Sequence, residues 1–176
     1  MFNDSYGLTK AVLEGRKTMT RRLPNKVWKD IMPGLAGENL SHANTPFKYG
    51  EVVAVAQSYK DVMEARGESG VSHLVVKAGY KNKMFVKADL MPHQIHITKV
   101  RVEHLQDISD EDCIREGILE DSPGVQYSFP TEIGYCGQYP FDSARSAFAA
   151  LIDKVSGKGT WESNPWVFVY EFELVK

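Results

Sequence analysis

Apolar residues along the chain alternate between helical and strand spacing, and the pattern predicts most of the elements. Leu8, Val12 and Leu13 recur at helical intervals around Lys10 and Glu14, and Gly15 stands where a helix takes its left-handed cap. A short helix therefore delivers the octet GRKTMTRR, residues 15–22. Thr18 and Thr20 suit extended or loop backbone better than a helix interior, and Pro24 closes the segment. Lys26 to Ile31 predicts another helical turn, and the Pro-, Gly- and Asn-rich residues 33–46 predict a loop. EVVAVAQSY, residues 51–59, is β-branched and nearly continuous in apolar side chains, as in a strand covered on both faces. Residues 73–79 and 83–89 flank Tyr80 to Asn82 and predict a hairpin.

QIHITKVRVEHL, residues 94–105, carries more information. Its apolar positions are odd at Ile95 and Ile97 but even at Val100 and Val102, so the inward face changes parity near Thr98 and Lys99. A β-bulge does this where a strand turns the corner of a curled sheet. Ser109 then opens SDEDCIREGI, with acids in the first turn and Gly117 after the last, which predicts a two-turn helix. Residues 118–141 are rich in Gly, Pro, Ser and Tyr and predict an irregular insertion. Ala144, Ala147, Phe148, Leu151, Ile152 and Val155 trace one stripe of a helix capped by Asp142 or Ser143 and stopped at Gly157. Trp166, Phe168, Tyr170, Phe172 and Leu174 alternate along a terminal strand. With no regular βαβ alternation, the expectation is one α+β domain over residues 1–176, built on a small curled sheet or barrel of mixed strands with flanking helices.

Composition narrows the class. The 176 residues are 43% hydrophobic and 25% charged, a globular mixture rather than a disordered one. Cys113 and Cys136 are too few for a disulfide framework and are read as reduced. No apolar run has the length of a membrane span, and the first ten residues lack a signal-peptide pattern, so a cytoplasmic protein that does not contact membranes is expected. The net charge of −2 argues against a uniformly basic nucleic-acid coat. That average conceals segregation: residues 15–29 hold six cations and no acid, whereas residues 103–121 hold eight acids and one Arg. Two solvated faces would explain this, and so would a basic run tied to an acidic helix.

Three segments together resemble the ASCH family, small β-barrel domains of the PUA-like superfamily associated with RNA and modified nucleosides: LEGRKTMTRR (13–22), RVEHLQDISDEDCIREGI (101–118) and WESNPWVFVYEFELV (161–175). The likeness runs nearly the whole chain and is closest to the phage and prophage type. It implies a cleft that binds RNA or a modified nucleoside, and an amidohydrolase trio falling on Lys17, Thr20 and Glu116, as in relatives that deacylate acetylated cytidine. It departs from the family where an Arg and a Glu often follow the strand's aromatic residue, since here Ala56 and Gln57 stand there.

The chemistry of the trio is coherent. A Thr hydroxyl needs a base to become a nucleophile, and a Lys amine serves only if burial or neighbouring cations lower its pKa; Arg16, Arg21 and Arg22 are such cations. Glu116 would orient the lysine or carry a proton to the leaving amine. Arg16, Thr18, Arg21 and Arg22 are candidate contacts to a phosphate or base edge, and Tyr59, with Trp28 or Tyr80, a candidate stacking face. The other reading is a non-catalytic module whose basic 15–29 segment contacts nucleic acid or an acidic protein. No cofactor and no metal are expected: GRKT lacks the spacing of a phosphate-binding P-loop. His93 and His96 would point to opposite faces of a strand, and Cys113 has no histidine in register to activate it.

Overall fold

The computed structural model describes residues 2–38, 40–67, 78–131, 134–135 and 141–175. Helix α1 (Leu8–Leu13) buries Leu8, Ala11 and Val12, and Gly15 follows at φ 72°, the left-handed turn that directs the chain into strand β1 (Met19–Arg22). The Asn25 carboxamide accepts the Val27 and Trp28 amides and starts α2 (Lys26–Lys29). Strand β2 covers only Val52–Ala54, shorter than the β-branched run suggests. The reason is local: the Ser58 hydroxyl accepts the Asp61 amide and the Asp61 carboxylate accepts that of Ser58, a capping box that opens helix α3 (Tyr59–Ala65).

The second arm of the expected hairpin is not a strand. Residues 83–89 form 3₁₀ turns at Lys83–Phe85 and Ala88–Leu90, the first capped by the Asn82 side chain on the Met84 amide. Most of the other arm, residues 73–77, lies outside the described residues. Strand β3 (Gln94–His104) is followed by α4 (Asp110–Arg115), which the Ser109 hydroxyl caps on the Asp112 amide. The segment read as irregular contains two short antiparallel pairs, β4 (Leu119–Ser122) with β5 (Gln126–Ser128) and β6 (Pro130–Thr131) with β7 (Gly134–Tyr135). Helix α5 (Ala144–Ser156), capped by Ser143, and strand β8 (Trp166–Val175) complete the chain.

The fold is α+β. Its principal sheet is antiparallel with strand order β1-β8-β3-β2. Among the described residues these strands do not close into a barrel, and β1 and β2 stand at the two ends of the order. The parity change in β3 is real: the register with β8 shifts between Ile97, opposite Phe172, and Lys99, opposite Glu171. The extra residue puts Ile95, Ile97, Val100 and Val102 all among the buried side chains despite their mixed parity. In β8 Val167, Phe168, Val169 and Tyr170 are consecutively buried, so this strand is covered on both faces rather than alternating. One core joins these strands to Val12, Cys113, Phe148 and Leu151, and Tyr59, Val62 and Met91 form a smaller cluster under α3.

Candidate functional site

The turn after α1 brings Lys17 to α4. The Ala11 carbonyl accepts both the Arg16 and Lys17 amides, and the Thr18 amide donates to the Arg115 carbonyl at 3.0 Å. From there the Lys17 ammonium donates to Glu116 twice, to the backbone carbonyl at 2.7 Å and to Oε2 at 2.6 Å. It therefore caps the C-terminal end of α4 as well as pairing with a carboxylate. Gly117 makes room: it lies at φ 107°, and a Cβ there would come within 3.7 Å of Lys17 Cδ and 3.3 Å of a Leu8 methyl.

Lys17 and Glu116 are both buried, at 2% and 4% exposure. Burial lowers the Lys17 pKa below its ordinary value, more than the Glu116 carboxylate and its hydrogen bond raise it, and Arg22 and Arg21 push it further down. Glu116 also receives Arg21 Nη1 on Oε1 at 3.3 Å.

Arg21 is held by three acids. Besides Glu116 it pairs with Glu103 and, at 3.0 Å, with Asp112 of α4. Burial works against its charge, but Glu116 and Glu103 outweigh burial and raise its pKa. The network continues: Arg101 joins Glu103 at 2.9 Å, Asp112 at 2.8 Å and Glu171, while Arg115 joins Glu171 at 2.8 Å. Partial burial raises the Glu171 carboxyl, yet hydrogen bonding from Arg115 and the charges of Arg115, Arg101 and Lys99 leave it below its ordinary value. The basic octet and the acidic segment thus meet and neutralise each other.

The other candidates separate. Arg22 lies over the Phe2 ring, 5.5 Å from its centroid, with its pKa lowered by burial against the pull of Glu116 and Tyr170. Thr20 is half-buried on β1 between Met19 and Arg21. The Thr18 hydroxyl accepts Arg115 Nε at 3.3 Å. Arg16 is exposed and bonds only its neighbour Glu14 among the described contacts, so it does not reach Lys17. Tyr59 is corrected as a stacking face: it is 3% exposed, its hydroxyl accepts the Lys87 amide, and its ring sits against Gly79. Trp28 packs edge-on against Phe168 at 5.3 Å. Burial pushes the Cys113 thiol up to about 12, which leaves it unreactive at neutral pH.

Lys17, Thr20, Arg21, Arg22 and Glu116 all line one cleft of about 1370 Å³. Two further residues shape it that sequence reasoning missed. Phe2 forms part of its wall, with the Lys17 ammonium 5.8 Å from its ring. Lys83 ties the N-terminal segment down by donating to the Phe2 carbonyl, to Asp4 at 2.7 Å and to the Thr9 hydroxyl at 2.9 Å. Neither has a local sequence signal, because each acts through a contact distant in the chain. Among the described residues no group of three His, Cys, Asp or Glu side chains is placed to hold a metal, and no helix is long and apolar enough to cross a membrane. Compared with protein-family models, curated proteins and solved structures, the chain matches none.

Proposed function

We propose that the chain is an ASCH-type, PUA-like domain whose cleft binds an N-acylated nucleoside, free or within RNA, and hydrolyses the amide on its base. The observation that carries this reading is the buried Lys17–Glu116 contact at 2.6 Å in the wall of a cleft that Thr20 also lines. A buried lysine with a lowered pKa gives up its proton at lower pH than an exposed lysine does, which suits a group that acts as a base. In the proposed reaction Lys17, after losing its own proton, takes the Thr20 hydroxyl proton as Oγ1 attacks the acyl carbon. The C–N bond then breaks, the nucleoside amine leaves with a proton returned from Lys17, and water hydrolyses the acyl-threonine ester. Glu116 holds the lysine amine in place. Arg22 supplies a cation for a phosphate where the nucleoside lies within RNA, and the Phe2 ring an apolar surface for the planar base.

The test is incubation of the pure protein with acetylated cytidine and related N-acyl nucleosides, followed by chromatography, beside Lys17→Ala and Glu116→Ala. Release of cytidine by the wild type alone is the expected result. No turnover of any of them removes the hydrolytic part.

A second reading has its own support: Glu116 is shared between Lys17 and Arg21, as in a purely structural tie between octet and helix. Under it, substitutions at Lys17 change stability and leave nucleoside binding intact. An electrostatic docking module has a narrower basis, since of the six cations in residues 15–29 only Arg16, Lys26 and Lys29 are exposed. Under that reading, binding weakens steeply with added salt.

A further inference from the structure

A groove of about 730 Å³ runs along β3 and shares no lining residue with the cleft. Residues 98–102 form one wall, and Gly37, Glu38 and Tyr49 stand in the other. The groove exists because β2 is short. That strand pairs with β3 only at residues 94–96, and the last bonds of this edge run from the Gly50 amide to the Ile97 carbonyl at 2.8 Å and from the Ile97 amide to the Glu51 carbonyl at 2.9 Å. Gly50 lies at φ 77°, a left-handed turn, and the residues before it leave the ladder. Beyond Ile97 the alternation of β3 decides which groups face the groove. The Leu105 amide donates to the Pro165 carbonyl at 2.9 Å, and the register with β8 holds from there back to Lys99. Every second residue of an antiparallel strand bonds a given neighbour, so Lys99, Arg101 and Glu103 turn their main-chain groups to β8. Val100 and Val102 turn theirs to the other edge, where no described residue hydrogen-bonds them. Two N–H and two C=O groups therefore stand in line at strand spacing, on residues each only 4% exposed. Main-chain groups this sheltered cost free energy unless a partner completes them.

The dimensions fit one strand. Five residues of β3 span about 17 Å, which gives the groove a cross-section of about 43 Å², against roughly 48 Å² for a strand at ordinary strand and sheet spacings. The bulge between Ile97 and Lys99 and the wall carrying Gly37, Glu38 and Tyr49 keep out a flat sheet edge, so the occupant is a single extended segment. Its side chains alternate. Those opposite Val100 and Val102 share the face of these valines, and those opposite Lys99 and Arg101 share the face of the two cations. The Lys99 side chain is 61% exposed and pairs with Glu171 at 3.6 Å, a carboxylate that Arg101 and Arg115 already hold. That face can take a further carboxylate. We propose that β3 binds an extended peptide of a partner protein by strand addition along residues 98–102, with apolar residues beside the valines and an acidic residue on Lys99.

The test titrates the isotope-labelled full chain with the end-blocked pentapeptide Glu-Val-Glu-Val-Glu, whose pattern reads alike in either direction, and follows it by amide NMR and hydrogen exchange. Saturable shifts and slowed exchange at the Val100 and Val102 amides are expected, with those of Thr20 and Arg22 in the cleft unmoved. Methylating the two valine nitrogens of the peptide removes its donors without altering the protein, and should weaken binding at least about ten-fold. The peptide Lys-Val-Lys-Val-Lys should bind about five-fold more weakly than the acidic one, and Lys99→Glu should reverse that preference. No saturable shift at Val100 and Val102 overturns the proposal, as does an N-methylated peptide that binds as well as its parent. Equal binding of the two charged peptides overturns the acidic preference. Shifts at the same amides that grow with protein concentration, without peptide, overturn the partner peptide as occupant and put a second copy of the chain in its place.

Discussion

Strand β1 divides its residues between two faces of one sheet, and the faces differ in how fully their polar groups are matched. Met19 and Arg21 lie on the face where Arg101, Glu103 and Glu171 of the neighbouring strands meet Asp112 and Arg115 of α4. There each charge has at least two opposite partners. Thr20 and Arg22 lie on the other face, with Tyr170, Ile95, Ile97 and Val53, around a small cavity where the Tyr170 hydroxyl meets the Phe47 amide but no acceptor for its own proton among the described residues. Lys17 and Glu116 sit where the network ends and the cleft begins, and Lys17 has one carboxylate where Arg21 has three. A saturated network positions backbone and helix; chemistry needs groups with something left to give. The cations of one octet therefore have two uses, set by the two-residue period of a strand.

The comparison is most severely tested at Glu116. Glu116→Ala removes the carboxylate of Lys17 and one partner of Arg21, and should destabilise the fold by about 3–5 kcal/mol in urea unfolding. The double variant Lys17→Met with Glu116→Gln should recover most of that loss, because no buried charge is then left unpaired. A loss no larger than a surface substitution would show that the pair is not buried in solution. Arg21→Leu comes next, at about 2 kcal/mol, since Arg101 still serves Glu103 and Asp112 when Arg21 is gone. Its signature is loss of stability with the cleft's affinity for nucleosides retained.

Lys17 also predicts a pH dependence. Its folded pKa lies below its ordinary value of 10.5, so between the two values the unfolded chain holds the proton and the folded one does not. Stability attributable to this group accordingly rises with pH across that window, by up to about 1.4 kcal/mol per pH unit, and is lowest below the folded pKa. The wild-type curve minus that of Lys17→Met isolates the slope, and a flat difference would mean an unshifted lysine. If Lys17 is the base, kcat/KM for an N-acyl nucleoside rises through the same folded pKa. The smallest effect belongs to Arg16, which is exposed and bonded to Glu14: Arg16→Ala should change stability by under about 0.5 kcal/mol and leave turnover unaltered.

Some of this was legible in the chain before any coordinates. The parity change between Ile97 and Val100 announced the bulge, because a strand with one buried face cannot change parity without an extra residue. Ser109 and Gly117 bounded α4 because capping chemistry is local. The same locality misled at residues 51–59, where apolar β-branched residues outweighed the Ser58 and Asp61 signal that in fact starts α3 and buries Tyr59. Residues 83–89 had the composition of a strand but form 3₁₀ turns, the first capped by the Asn82 side chain. The trio was nominated by resemblance and residue type, whereas Phe2 and Lys83 carried no sign of their place in the site.

The sequence by itself determined the helix caps, the bulge, the alternation that assigns Thr20 and Arg21 to different faces, and the matched excess of cations in one segment and acids in another. These follow from interactions between near neighbours and from the fixed periods of helix and strand. Only the tertiary structure decided that Lys17 meets Glu116 across 99 positions, that Arg21 is spent on three acids, and that the sheet leaves a small cavity beside Thr20. Burial, and with it the direction in which the Lys17 pKa shifts, is a property of everything packed around a side chain, and no local stretch of sequence contains that.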